Sequence, residues 1–251
     1  MNRVYGANRG PAPSLFSPIM AGILPTPLDS VDLSHVLPSA WDQGQSSACV
    51  GYGIAAGLWL AVGGKGRPPS PQALYVSARS REKARVGDAL KDSGSNPIDA
   101  VEAAITTGVC PWDLYVDGTN GGTTSGVDAI NQLLTFDDVV SSVQVPASRF
   151  SAIDEGDTDT IKRWLTAGAP VSFAMEVDAS YESYSAGVWN GMQGPALGGH
   201  EQLIVGYENG YFIVRNSWGP NFGYAGHSHV SEAAIASGAH SLVAISGGVI
   251  L

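Results

Sequence analysis

A thiol at Cys49, an imidazole at His200 and the carboxamides of Gln43 and Asn216 are the groups of this chain whose types and spacing could do chemistry together. Gln43 precedes Cys49 by six positions in Trp-Asp-Gln-Gly-Gln-Ser-Ser-Ala-Cys, and Asn216 follows Gly-Gly-His200 by sixteen. These are parts for acyl transfer through a covalent intermediate. A thiolate is the attacking species, and a cysteine with an ordinary pKa of about 8.5 is mostly protonated at neutral pH. A nearby imidazolium or the positive end of a helix lowers that value. His200 would take the thiol proton and later return it to a leaving amine. Asn216 would hold the ring in one orientation, as in Cys-His-Asn variants of the triad. The side-chain NH of Gln43 and the backbone NH of Cys49 would bind the developing oxyanion, each worth roughly 3–4 kcal/mol in the transition state.

The elements that must position these groups are legible in the same sequence. Cys49 opens an apolar run through Val62, which predicts a buried helix with the thiol at its N-terminus and Ser46 or Ser47 as a cap. Gly51, Gly53 and Gly57 lower its intrinsic propensity, so packing must hold it, or the glycines admit another segment close to the helix. Further helical patterns run from Gln72 to Lys83, Pro97 to Thr107 and, after a Gly/Thr-rich loop at 117–126, Val127 to Leu134. Strand patterns follow at Val139 to Val145, Val171 to Val177, Gln202 to Tyr207 and Tyr211 to Arg215, the last two joined by a Glu-Asn-Gly turn. A helix from Asp159 to Ala167, capped by Asp157 or Thr158, interrupts them.

The order Gln, Cys, His, Asn with this local wording resembles the papain-like cysteine peptidases, and the likeness extends over residues 30 to 235. Asp42-Gln43-Gly44, Ser70-Pro-Gln-Ala-Leu-Tyr75, Gly108-Val-Cys-Pro111 and Asn216-Ser-Trp-Gly carry it, and the leaderless prokaryotic or viral members are the most similar. The resemblance implies an α+β fold of two lobes, a helical one at about 42–135 and a β-barrel-like one at about 136–251, with the cleft between them. Residues 31–251 would form this domain, and residues 1–30, rich in Pro, Gly and Ser, an extended arm or a short pro-segment across the cleft. It further implies that Gly94 and Ser95 pair with substrate backbone and that Trp218 shields the Asn–His bond from water. Val50, Ala48 and Ser95 depart from the usual wording, and Glu201-Gln202 replace two small or apolar residues after the histidine. Strand alternation turns Glu201 away from His200. With His200 and Asn216 opposite each other on antiparallel strands, Glu201 would face Arg215 as a cross-strand ion pair.

Composition agrees with a folded enzyme: 251 residues, 44% hydrophobic, 14% charged. A net charge of −10 argues against nucleic acid and anionic membrane surfaces as partners. No apolar run reaches the ~20 residues of a membrane span, and the first residues lack the apolar core of a signal peptide. A cytoplasmic or particle-delivered protein is therefore expected, acting on polypeptide with no cofactor and no metal. With Cys49 as nucleophile, Cys110 would have no disulfide partner. The carboxylates at 154, 155, 157 and 159 lack the later glutamate of a calcium loop, and His227 with His229 lack a third ligand. Two other readings stand beside the peptidase: an inactive binding or structural module of this fold, and a related acyl transferase or amidase.

Overall fold

A computed structural model describes residues 5–9, 24–86, 92–113 and 143–247. The expected loop at 117–126, the helix from Val127 to Leu134 and the strand start at 139–142 lie outside the described residues.

Helix α1 (Cys49–Ala61) is apolar all round and is buried all round. Its glycines are the reason it can be. A Cβ on Gly51 would overlap the Pro71 carbonyl, one on Gly53 would come within 2.9 Å of the Glu201 side chain, and one on Gly57 would overlap Ile245. Helix α2 (Pro71–Val86) and α3 (Pro97–Thr106) pack with α1 into the helical lobe. Asn96 caps α3 by accepting from Ile98 N, and Pro97 fits the first turn, where no N–H is needed.

The second lobe is built on a sheet. Its strands are β1 (Val31–Asp32), β2 (Phe150–Ala152), β3 (Val171–Val177), β4 (Val188–Trp189), β5 (Gly198–Glu208), β6 (Tyr211–Arg215), β7 (His227–Ser231) and β8 (His240–Ile245). They run in the order β2-β8-β3-β5-β6-β7-β4, an open path, with β1 paired to the far end of β5. Helix α4 (Thr158–Thr166) is capped by Asp157, which accepts from Thr160 N, so the local acidic cluster serves a helix start. Short α5 (Ala179–Glu182) and α6 (Glu232–Gly238) complete the lobe. Phe173, Ile204, Phe212, Trp218 and Val230 form one core within it, and Val50, Ile54, Leu74, Val101, Val243 and Ile245 form another where the helices meet the sheet. Each such side chain contributes about 1.5–3 kcal/mol on burial.

The hairpin register corrects one expectation. The Asn209-Gly210 turn, with both residues at positive φ, pins Glu208 opposite Tyr211. A bulge between Ile204 and Gly206 then sets Leu203, not Glu201, across from Arg215. The predicted ion pair does not form. Arg215 instead donates to the carbonyls of Pro38 and Ser39 at 2.9 and 3.1 Å and lies over the Trp41 ring, while Glu201 accepts from the Ser172 hydroxyl.

Candidate active site

The fold brings Gln43, Cys49, His200 and Asn216 together from four places in the chain. Cys49 is the first residue of α1 and fully buried. Its residue-level cap is Ala48, which makes no side-chain capping bond; Ser46 and Ser47 do not fill that role. The helix start is held from outside by Asp92. Its carboxylate accepts from Ser47 N at 2.9 Å and from the Tyr75 hydroxyl at 2.8 Å, and Tyr75 in turn accepts from Gly94 N. Asp92 therefore ties the loop bearing Gly94 and Ser95 to the nucleophile, a role with no local signature in the sequence.

His200 lies on β5 and is fully buried. Its Nε2 is 2.8 Å from Asn216 Oδ1, which also accepts from Ser217 N. A carboxamide oxygen only accepts, so Nε2 carries the proton and the ring tautomer is set. Trp218 stacks on the imidazole with centroids 4.4 Å apart and planes inclined by 20°. Gln43 is held in the same layer. Its N bonds Ser217 O, its Oε1 accepts from Ser217 Oγ at 2.6 Å, and its Nε2 donates to Ser46 O at 2.8 Å. None of these bonds uses the second Nε2 proton. The thiol accepts from the backbone N–H groups of Glu201, Gly6 and Val50, which sets the sulfur beside the residue that follows His200.

The thiol is not poised as a thiolate. Burial pushes its pKa up to about 12, against the lowering by those N–H groups. The burial has a visible source: residues 5–9 run through the site. Ala7 N donates to Gly199 O, Ser95 N to Gly6 O and Asn8 N to Ser95 O, at 2.9, 2.7 and 3.0 Å, so Ala7 pairs with Ser95 in parallel register. Tyr5 packs edge-on to both His200 and Trp218. Gly6 passes so close to the thiol loop that a Cβ there would overlap the Ser47 carbonyl and come within 2.9 Å of Gly94 Cα. Ser95 thus pairs with an extended backbone that belongs to this chain, and Gly94 packs against Gly6.

Two hydroxyls were invisible as site residues in the sequence. Ser172 holds Glu201, and Tyr181 donates to Gln202 Oε1 beneath Trp218. The unusual polar pair after the histidine is thereby accommodated on both faces of β5. His229 is sandwiched between Tyr211 and Tyr224, with ring centroids at 4.3 and 4.4 Å. Among the described residues no group of three or more His, Cys, Asp or Glu could hold a metal ion. Neither Cys49 nor Cys110 is disulfide-bonded.

Comparison with known proteins adds to this geometry. A family profile described as papain family cysteine protease matches residues 118–244, the part that carries His200 and Asn216. Cathepsin B-like CP3 of Giardia intestinalis is 27% identical over 207 residues, covering 78% of this chain and 65% of that protein's length. Among solved structures, xylellain, a cysteine protease from Xylella fastidiosa, superposes with a TM-score of 0.73 at 23% identity, covering 99% of this chain and 98% of that one. Procathepsin B S9 from Trypanosoma congolense gives 0.69 at 19%, covering 98% and 86%.

Proposed function

Because this chain belongs to the papain family of cysteine proteases, we propose that it hydrolyses peptide bonds through a thioacyl intermediate on Cys49, and that residues 5–9 hold it latent. The observation that carries the reading is the assembled set. His200 is fixed by Asn216 under Trp218, with the Cys49 sulfur at the adjacent N–H and Gln43 locked beside them.

With Nε2 committed to Asn216, Nδ1 takes the Cys49 proton, giving a thiolate and an imidazolium. The thiolate attacks the scissile carbonyl, and the oxyanion accepts from Gln43 Nε2 and Cys49 N. His200 returns the proton to the leaving amine, and water then hydrolyses the thioester with His200 as base. No metal or organic cofactor enters these steps. The main-chain pairing of Ala7 with Ser95 supports a polypeptide as the substrate, because the groove already binds extended backbone. The same pairing supports residues 1–30 as an arm outside a catalytic domain at 31–251. Two cysteines without a disulfide fit a reducing compartment, in line with a cytoplasmic setting.

The test is cleavage of an unfolded, alkylated polypeptide by the full chain and by a Gly6→Ala variant, beside Cys49→Ser and His200→Ala controls. Purified cell-wall peptide and amine incorporation run as parallel arms. Peptide products from Gly6→Ala that vanish in both controls are expected. Turnover confined to the cell-wall or amine arm would replace the reading with the amidase or transferase alternative, and no turnover anywhere would leave an inactive module.

A further inference from the structure

Glu201 is a buried ionisable group that the reaction above does not use. It is 1% exposed, next in sequence to His200 and on the opposite face of β5. Its side chain fills the space left by Gly53 on α1, one helical turn from Cys49. One carboxyl oxygen accepts from Ser172 on β3; the other has no hydrogen-bond partner among the described residues. A buried carboxylate with a single hydroxyl partner is expensive, whereas a neutral acid there is not. Burial accordingly raises the Glu201 pKa to about 8, with the Ser172 bond opposing the rise.

Resting on the protease reading, we infer that Glu201 is a proton latch: a neutral acid that docks the nucleophile helix against the histidine strand, so that this interface opens only with release of the Glu201 proton. The groups around it fit that role. From α1, the Cys49 thiol and the Tyr52 ring face it, the latter across a small cavity shared with Trp41. From β3 it meets the Ser172 hydroxyl, and from β8 the nearest titratable residue in the same strand row is His240, opposite Ala174. From β6, Arg215 lines the cavity but spends its guanidinium on the Pro38 and Ser39 carbonyls. Among the described residues no ion pair involves Glu201.

The balance is one proton. Closed, Glu201 keeps it up to pH of about 8; opened to water, it loses it at the ordinary carboxyl value of 4.5. Opening therefore becomes easier by about tenfold per pH unit between those values and levels off above them. In this latch the site loosens toward neutral and alkaline pH.

The experiment is iodoacetamide labelling of Cys49 in the full chain from pH 5 to 9.5, read by peptide mass spectrometry, in wild type and Glu201→Gln. The rate ratio cancels the thiol's own titration. The expected result is a wild-type/variant ratio that climbs about tenfold per unit and flattens near pH 8, with the ratio at Cys110 flat. A ratio at Cys49 independent of pH overturns the latch. An equal climb at Cys110 also overturns it, because Glu201 would then govern global unfolding. Should Glu201→Gln fail to fold, Ser172→Ala serves: losing the hydroxyl moves the wild-type plateau to higher pH, and an unmoved plateau counts against the inference. Labelling needs no turnover, so a chain that labels as expected yet cleaves nothing keeps the latch and loses the protease reading.

Discussion

Gly6→Ala should turn a protected thiol into a reactive one. The added methyl would overlap the Ser47 carbonyl and press on Gly94 Cα, 2.9 Å away, and both are backbone atoms that cannot swing aside. Overpacking of this kind costs about 1–3 kcal/mol or more. Against it stand three main-chain hydrogen bonds, Ala7 to Gly199, Ser95 to Gly6 and Asn8 to Ser95. At about 1 kcal/mol net each, they sum to roughly 3 kcal/mol. The two effects are comparable, so the variant should lift residues 5–9 out of the cleft for much of the time. Roughly 3 kcal/mol is about a hundredfold in the exposed population, so Cys49 labelling at pH 7 should rise by about that factor while Cys110 stays unchanged. The pH dependence should move as well. Burial is the largest cause of the raised thiol pKa, so exposure should bring the labelling midpoint down from about 12. Labelling of Gly6→Ala at the wild-type rate across the pH range would refute the argument, since the thiol would then be buried by something other than this segment.

Three further outcomes are expected. In the Gly6→Ala background, Gln43→Ala should lower kcat about 10²–10³-fold with KM little changed, the mark of a donor used only in the transition state; initial rates on an unfolded polypeptide check it. Asp92→Ala strips the carboxylate from Ser47 N and Tyr75 and should destabilise the chain by about 1–3 kcal/mol, read as a lowered midpoint in urea. Glu201→Gln should gain stability over wild type as pH rises. The folded pKa of Glu201 is raised to about 8 from 4.5, so its favourable contribution is whole below 4.5 and is lost progressively up to about 8. At roughly 1.4 kcal/mol per unit the difference reaches about 3.5 kcal/mol by neutral pH; a difference in melting temperature that does not change with pH would contradict it.

Much of the fold could be read from local patterns because the physics involved is local. The strand Val171–Val177 and the hairpin partner Tyr211–Arg215 fall where β-branched runs and an Asn-Gly turn put them, and Asp157 caps its helix as a short acidic side chain should. The four residues that meet in the candidate site were legible because their order and spacing are tied to those elements. What escaped depends on fit between distant segments. A short pro-segment across the cleft is one of two options for residues 1–30, but nothing in Tyr5-Gly-Ala-Asn-Arg9 singles out these five; the row of close approaches at Gly6, Gly94, Gly198 and Gly199 does. Asp92 sits in a loop without periodicity, and Ser172 is one hydroxyl in an apolar strand. The Glu201–Arg215 pair failed because the Asn209-Gly210 turn, which sets Glu208 opposite Tyr211, already puts Ile204 across from Arg215; the bulge in β5 shifts that by one, to Leu203, still short of Glu201.

The segment in the cleft is joined to the domain by the chain itself, since residues 10–23 run on to Leu24, which precedes β1. Tethering makes its occupancy a matter of effective concentration. Covalent attachment fixes the effective concentration of the segment at the groove whatever the protein concentration, so dilution does not relieve it. A competing peptide must match that level to enter. Cutting one bond between Arg9 and Leu24 removes the advantage without touching a single contact in the groove. The freed pentapeptide Tyr5-Gly-Ala-Asn-Arg9 would then bind as an ordinary ligand, with three main-chain hydrogen bonds and no tether to hold it.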